Sequence, residues 1–180
     1  MHDTVSPPAT ETNHGNMDTL RLPPHSIQAE QSVLGGLMLD TAAWDQVADR
    51  VSEQDFYRRE HQLIFRAIAS LVERNEPTDV VTLNDEIEQH NLLPEGGGLA
   101  YLGSLAKDTP SAANIRAYAD IVREHSIKRQ LIRVGTEIAD SGFQTEGRKS
   151  SELLDLAELE LDPVRPRSPA VFSGRLSRSR

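Results

Sequence analysis

Cysteine is absent from the 180-residue chain, which excludes disulfide frameworks, thiolate nucleophiles and cysteine-ligated zinc and fits a reducing compartment. Aromatic residues make up only 4% of the sequence against 37% hydrophobic residues. A core must therefore come from Leu, Ile, Val and Ala, which suits helices packed through aliphatic stripes and disfavours an all-β sandwich. No apolar run approaches the roughly 18–20 residues that span a bilayer, and the N-terminal stretch MHDTVSPPATETNHGNMDTL lacks the apolar centre of a signal peptide. A cytoplasmic location with no membrane contact is expected. Positive charge is also scarce: 19 Lys and Arg stand against 28 Asp and Glu, a formal net charge of -9. That balance repels phosphate at long range and argues against a general nucleic-acid binder. Five arginines (Arg165, Arg167, Arg175, Arg178 and Arg180) follow Asp162 with no acid among them, and removing their charge leaves -14 on residues 1–162.

The signatures of catalysis are missing as well. None of the 11 glycines precedes a lysine, so there is no Gly-Lys-Ser or Gly-Lys-Thr loop to cradle nucleotide phosphates. Gly96, Gly97, Gly98 and Gly103 read as a turn, because no buried strand leads into them. The 6 histidines (His2, His14, His25, His61, His90 and His125) are scattered without metal-ligand spacing. Acidic pairs such as Asp45 with Asp49 and Glu86 with Glu88 read as solvated helix faces. No catalytic, cofactor-binding or metal-ligating residue is assigned, and the chain alone is not expected to be an enzyme.

What is present is helical periodicity. Residues 1–22 are polar and aperiodic and read as a disordered arm. Ser26 is placed to cap a helix through Ile27, Glu30, Val33, Leu34, Leu37 and Met38. Gly35-Gly36 inside that helix costs about 1 kcal/mol each in propensity, which makes sense if another helix crosses closely there, a hinge being the rival reading. A short helix with Ala43, Trp44, Val47 and Ala48 follows Asp40, with Trp44 as a core anchor. Ser52 and Asp55 resemble a capping box ahead of a helix over about Arg59–Arg74, striped with Ile64, Ala67, Ile68, Leu71 and Val72. Asn75-Glu76-Pro77 stops it. A further helix through Leu83, Ile87 and Leu92 is expected, with Thr82 and Asp85 as its cap pair. A turn over residues 93–98 and a short helix with Leu99, Leu102 and Leu105 complete a helical head of about five to six helices over residues 23–109.

Residues 110–162 should form a long helix and a short one. From Ser111 to about Ser141 there is no proline, enough for a helix on the order of 45 Å. Its apolar positions change phase: Ile115, Tyr118 and Val122 make one run, and Ile127, Leu131, Val134 and Ile138 another. The second run pairs with a short helix at residues 150–162 bearing Leu153, Leu154, Ala157 and Leu161, returned by a turn around Gly142 to Gly147. Two helices cannot enclose a core, so this hairpin should bind something, most simply another copy of the chain. Ile127, Leu131, Val134, Ile138, Leu153, Ala157 and Leu161 are the expected seam and nearby oligomer contact. Arg116, Arg123, Arg129 and Arg133 are candidate partner contacts, although Glu124 with Lys128 and Arg133 with Glu137 can also pair along the helix. Residues 163–180 read as a disordered basic tail.

Five segments together resemble the N-terminal domain of the DnaB family of bacterial replicative DNA helicases: PHSIQAEQSVLGGLMLD at 24–40, DFYRREHQLIFRAI at 55–68, PTDVVTL at 77–83, GGLAYLGSLA at 97–106 and SAANIRAYADIVREHSIKRQLI at 111–132. The resemblance covers about residues 23–160. It implies an all-α head and hairpin that serves in the collar of a hexameric ring, pairs with itself, and docks primase and a helicase loader within the primosome, with at most weak or indirect DNA contact. It also implies that the ATP- and Mg-dependent unwinding activity belongs to a RecA-like motor domain, which this sequence does not contain. No cofactor is expected in this chain. The tail beyond Asp162 departs from the family pattern and is expected to be foreign to the fold. The alternative is a standalone helical regulator that binds primase or helicase without being part of a motor chain.

Overall fold

A computed structural model of the chain describes residues 22–90, 98–143 and 147–164. The disorder expected for residues 1–22 and 163–180 and the turn expected at 93–98 fall almost wholly outside these limits. Among the described residues every regular element is helical. The α-helices are α1 (Ile27–Leu39), α2 (Arg59–Glu73), α3 (Val80–Gln89), α4 (Gly98–Asp108), α5 (Ile115–Phe143) and α6 (Ser150–Leu161), with short 3-10 segments at Thr41–Gln46, Glu53–Asp55 and Asp162–Val164.

Helix α1 is the centre of the head and touches α2, α4 and α5. Ser26 caps it, its Oγ accepting from the Ala29 amide at 3.3 Å. Val33, Leu34 and Leu37 are fully buried. Gly35 and Gly36 are buried too, because chain crosses them on both sides: a Cβ on Gly35 would lie 2.5 Å from the Leu105 carbonyl oxygen and closer still to Thr109 Oγ1, and one on Gly36 would meet Ile115 Cδ1 at 3.0 Å. The doublet is a helix-crossing site and not a hinge.

Helix α2 buries Ile64, Ala67, Ile68 and Leu71, with Val72 packed at the edge. It ends where Asn75 takes a φ of 56°. The Asn75 amide then returns to the Val72 carbonyl and the Glu76 amide to the Leu71 carbonyl, both at 2.9 Å, which together make a Schellman stop. The short helix expected after Asp40 is present as a 3-10 helix, capped by Asp40 through the Ala42 amide at 3.0 Å. Ala43 and Val47 are buried, Ala48 is exposed, and Trp44 stacks on Phe65 at a centroid distance of 5.3 Å.

Three expectations need correcting. Helix α3 begins at Val80 with Asp79 as its cap: the Asp79 carboxylate accepts from the Val81 and Thr82 amides and from Thr82 Oγ1. Thr82 is thus a donor in the first turn, not the cap. These bonds stabilise the ionised carboxylate, and the Asp79 carboxyl is held below its ordinary range, chiefly by the Thr82 side chain. Secondly, the buried face of α5 does not change phase. It runs through Ile115, Ala119, Val122, Ser126 and Val134, so the position that continues the stripe after Val122 is the polar Ser126, while Ile127 is only half-buried. Thirdly, the tail does not begin at Pro163: Asp162–Val164 closes a 3-10 turn and Val164 is buried.

The first half of α5 lies on the head core through Ile115, Ala119 and Val122. Beyond Ser126 it meets α6 and the 3-10 turn that follows α6. In that region Val134 and Val164 are the buried apolar side chains. Helices α5 and α6 form a hairpin whose outer faces remain open.

Candidate assembly and docking surface

The side chains expected at the hairpin seam divide into two groups. Val134 is fully buried, and Ile127, Ile138, Leu153, Ala157 and Leu161 are half-buried. Leu131 is 48% exposed and Leu154 70%, so neither lies inside the hairpin; Leu156, which the expected stripe omits, is half-buried in its place. A helical repeat explains the exchange: Leu153, Leu156 and Ala157 share one face of α6, and Leu154 turns away from it. With Ile132, Phe143 and Leu159, the two exposed leucines leave a discontinuous apolar surface along the outside of the hairpin.

The four arginines also separate. Arg123 Nη1 meets Asp55 Oδ1 at 2.7 Å. Arg129 reaches the Pro24 carbonyl at 2.8 Å and the Asp55 carbonyl at 2.5 Å, with its guanidinium carbon 5.6 Å from the Tyr57 ring centre. These two hold α5 against the head. Burial pulls the Arg129 guanidinium below its ordinary value, and the nearby Glu30 and Asp55 act against that shift. Arg133 is largely exposed and pairs along the helix with Glu137 at 2.7 Å, and Arg116 is exposed.

Two buried polar centres underlie this surface; from sequence Asp55 reads only as the capping-box partner of Ser52, a pairing the structure shows, and Glu30 is given no role. Asp55 is 2% exposed. Its Oδ1 accepts from Arg123 and from Ser126 Oγ at 2.6 Å, and its Oδ2 from the Ser52 amide at 2.8 Å and the Ser52 hydroxyl at 3.0 Å. One carboxylate therefore ties the turn before α2 to the middle of α5. The second centre joins α1, α2 and α4. Glu30 accepts from the Tyr57 amide at 2.7 Å and lies 2.6 Å from His61 Nδ1, while His61 Nε2 lies 2.6 Å from the Tyr101 hydroxyl. The sequence carried one signal for Glu30, a charged residue on an otherwise apolar helix face. For Ser126 the signal was its place four residues after Val122, on the buried side.

The buried polar groups thus join helices to one another, and the open surface consists of apolar and charged helix faces. The arrangement is that of an all-helical domain. The family model described as DnaB-like helicase N terminal domain matches residues 22–124, and the chain belongs to that family. It is 46% identical over 138 residues to the replicative DNA helicase DnaB of Buchnera aphidicola subsp. Baizongia pistaciae, covering 77% of this chain and 30% of that protein. The chain spans about a third of the length of the curated relatives it matches. Among solved structures, the N-terminal domain of DnaB helicase from Mycobacterium tuberculosis superposes with a TM-score of 0.74 at 40% identity, covering 78% of this chain and 98% of the other. The N-terminal domain of DnaB helicase from Helicobacter pylori, described together with its interactions with primase, shares the fold at a TM-score of 0.54 and 24% identity, over 64% of this chain and 89% of that one.

Proposed function

We propose that the chain serves in a replicative helicase as its collar-forming and docking domain, associating with itself and receiving primase and a helicase loader in the bacterial cytoplasm. ATP-driven unwinding belongs, in this reading, to the part of the relatives that lies outside the matched region. The observation that carries the proposal is the open hairpin, where Leu131, Ile132, Phe143, Leu154 and Leu159 are exposed among the described residues. No helix among the described residues is long and apolar enough to cross a membrane, and another protein surface is the cover these side chains call for. The primase arm is motivated by the Helicobacter relative.

Light scattering of the chain across concentration, repeated with purified primase from the same organism, tests both arms. Self-association together with primase binding is expected. A monomer that ignores primase at tens of micromolar overturns the reading. Because Leu131 is exposed, Leu131→Asp should fold normally and lose association; retention of parental association would remove this face from the interface.

A further inference from the structure

Helix α4 packs on α1 and α3, whereas α5 packs on α1 and on the turn before α2. The two helices are nevertheless joined by an unbroken series of polar contacts inside the head. On α4, the Tyr101 hydroxyl lies 2.6 Å from His61 Nε2 of α2 and receives Gln31 Nε2 of α1 at 3.3 Å. His61 Nδ1 lies 2.6 Å from Glu30 Oε2 of α1. A carboxylate only accepts, so Nδ1 carries its hydrogen toward Glu30 and the opposite ring nitrogen is left to meet Tyr101. The other oxygen of Glu30 accepts from the Tyr57 amide at 2.7 Å. The Tyr57 ring is stacked on His25 with centroids 4.3 Å apart and is faced by the Arg129 guanidinium at 5.6 Å. Arg129 in turn grips the carbonyls of Pro24 and Asp55.

Glu30 and His61 are 1% and 0% exposed. A buried carboxylate–imidazole pair holds two helices no better than packed apolar side chains do, and α1 and α2 already share an apolar core. What the pair adds is direction. Glu30 divides its two oxygens between the ring on α2 and the turn that carries Tyr57, so it cannot follow one without leaving the other. Its charge also acts on Arg129, where together with Asp55 it opposes the effect of burial. The charges along the series balance, Glu30 standing to Arg129 as Asp55 stands to Arg123. The two ends differ in exposure to what lies outside: Tyr101 is half-buried on the rim of α4 near exposed Leu99, and Arg129 sits where α5 leaves the head.

We infer that Tyr101, His61, Glu30, Tyr57 and Arg129 act as a relay inside the head that couples the seat of α4 to the seat of α5. Glu30 is its joint. When Tyr101 is drawn away from Nε2, the His61 ring loses the partner that fixes it, Glu30 no longer has to share its oxygens, and the hold of Tyr57 and Arg129 on α5 slackens. Coupling is reciprocal, so a disturbance of α5 at Arg129 loosens Tyr101 on α4 to the same degree. A contact made on the α4 rim is thereby felt where the hairpin begins. The inference concerns the inside of one chain and stands whatever docks on the hairpin.

Two measurements on the whole chain test it. Tyr101→Phe removes one hydroxyl and keeps the ring, and circular dichroism establishes that the fold is retained. By amide hydrogen exchange, α5 from Val122 to Gln130 should open about fivefold more readily than in the parent, while α3, which packs on α4 outside the relay, keeps its parental rates. A purely local loosening of α4 does the reverse and reaches α3 first. In a double-mutant cycle followed by urea denaturation, Tyr101→Phe and Arg129→Lys should be coupled. The rise in the unfolding constant of the double variant should fall short of the product of the two single rises by about threefold or more, whereas independent sites give the product. Parental exchange rates in α5 of Tyr101→Phe, a rise in α3 equal to that in α5, or a cycle that multiplies out, each overturns the inference.

Discussion

His61 Nδ1 and Glu30 Oε2 lie 2.6 Å apart, joining α2 to α1 with both side chains closed off from solvent. The same carboxylate accepts from the Tyr57 amide, one residue before Arg58, the α2 N-cap, which makes no side-chain capping bond of its own. A residue of α1 thereby does the work of a cap for α2 and places negative charge at its positive end.

Glu30→Ala should be among the most destabilising single changes in the head. It removes the partner of the buried His61 ring and the acceptor of the Tyr57 amide, and about 2 kcal/mol is expected from leaving a buried polar group unsatisfied. Urea denaturation measures it, and a loss below about 1 kcal/mol would show that water takes over the role of the carboxylate.

The glycine doublet in α1 should respond unequally to alanine. At Gly35 the new methyl runs into a main-chain carbonyl that cannot step aside, whereas at Gly36 it meets the end of the Ile115 side chain. Gly35→Ala is expected to lose about 2 kcal/mol or more through overpacking. Gly36→Ala should be close to neutral, since the gain in helix propensity of up to about 1 kcal/mol offsets a small shift of Ile115. Thermal midpoints of the two variants decide the order, and equal midpoints would contradict the crossing described.

Acid should act through Glu86. The Arg74 guanidinium, 2.6 Å away, holds the Glu86 carboxyl below its ordinary value of 4.5. A carboxyl depressed in the folded chain binds protons later than in the unfolded chain, so its contribution is complete above the unfolded value and is lost as pH falls through the folded one. Asp79 follows the same sign through Thr82. Urea midpoints taken downward from about pH 5 should fall more steeply for the parent than for Glu86→Gln. Parallel curves would show that Arg74 and Glu86 are not coupled in solution.

Asp55→Asn tests the link between the head and α5. The amide nitrogen cannot accept from Ser52 or Arg123, so donors now shared by one carboxylate lose acceptors. About 2 kcal/mol of stability should go, measured by urea denaturation. Slower-exchanging amides around Val122 to Ser126 should become less protected by hydrogen exchange, and unchanged protection would show that apolar contacts alone seat the helix.

Local rules made much of the head legible. Ser26, Asn75 and Gly35-Gly36 each act through the main chain within a few residues or through the absence of a side chain, and their roles could be read where they stand. The Ser52–Asp55 capping pair was local and legible too, but the bonds of Asp55 to α5 and those of Glu30 and Ser126 could not be read in this way, because these partners lie about 30 to 70 residues away in the sequence. Counting apolar residues alone skipped Ser126 and produced a false break in α5. The same blindness made Arg123 and Arg129 look like a surface stripe, when both reach back to the turn before α2. Burial of a polar side chain is decided by its distant partner, and a single sequence records only its consequences.

Helix α5 begins inside the head core and ends at Phe143 near the hairpin tip, 29 residues without an interruption. At 1.5 Å per residue it is a strut of roughly 43 Å, clamped at one end by Ile115, Ala119, Val122 and the Asp55 bonds. From Ser126, the last residue of the clamp, to Phe143 is roughly 25 Å, so a tilt of about 10° there would sweep the far end through roughly 4 Å. The head and hairpin are consequently geared together: whatever seats itself on the hairpin tip gains leverage over α1, and whatever reshapes the head repositions the tip.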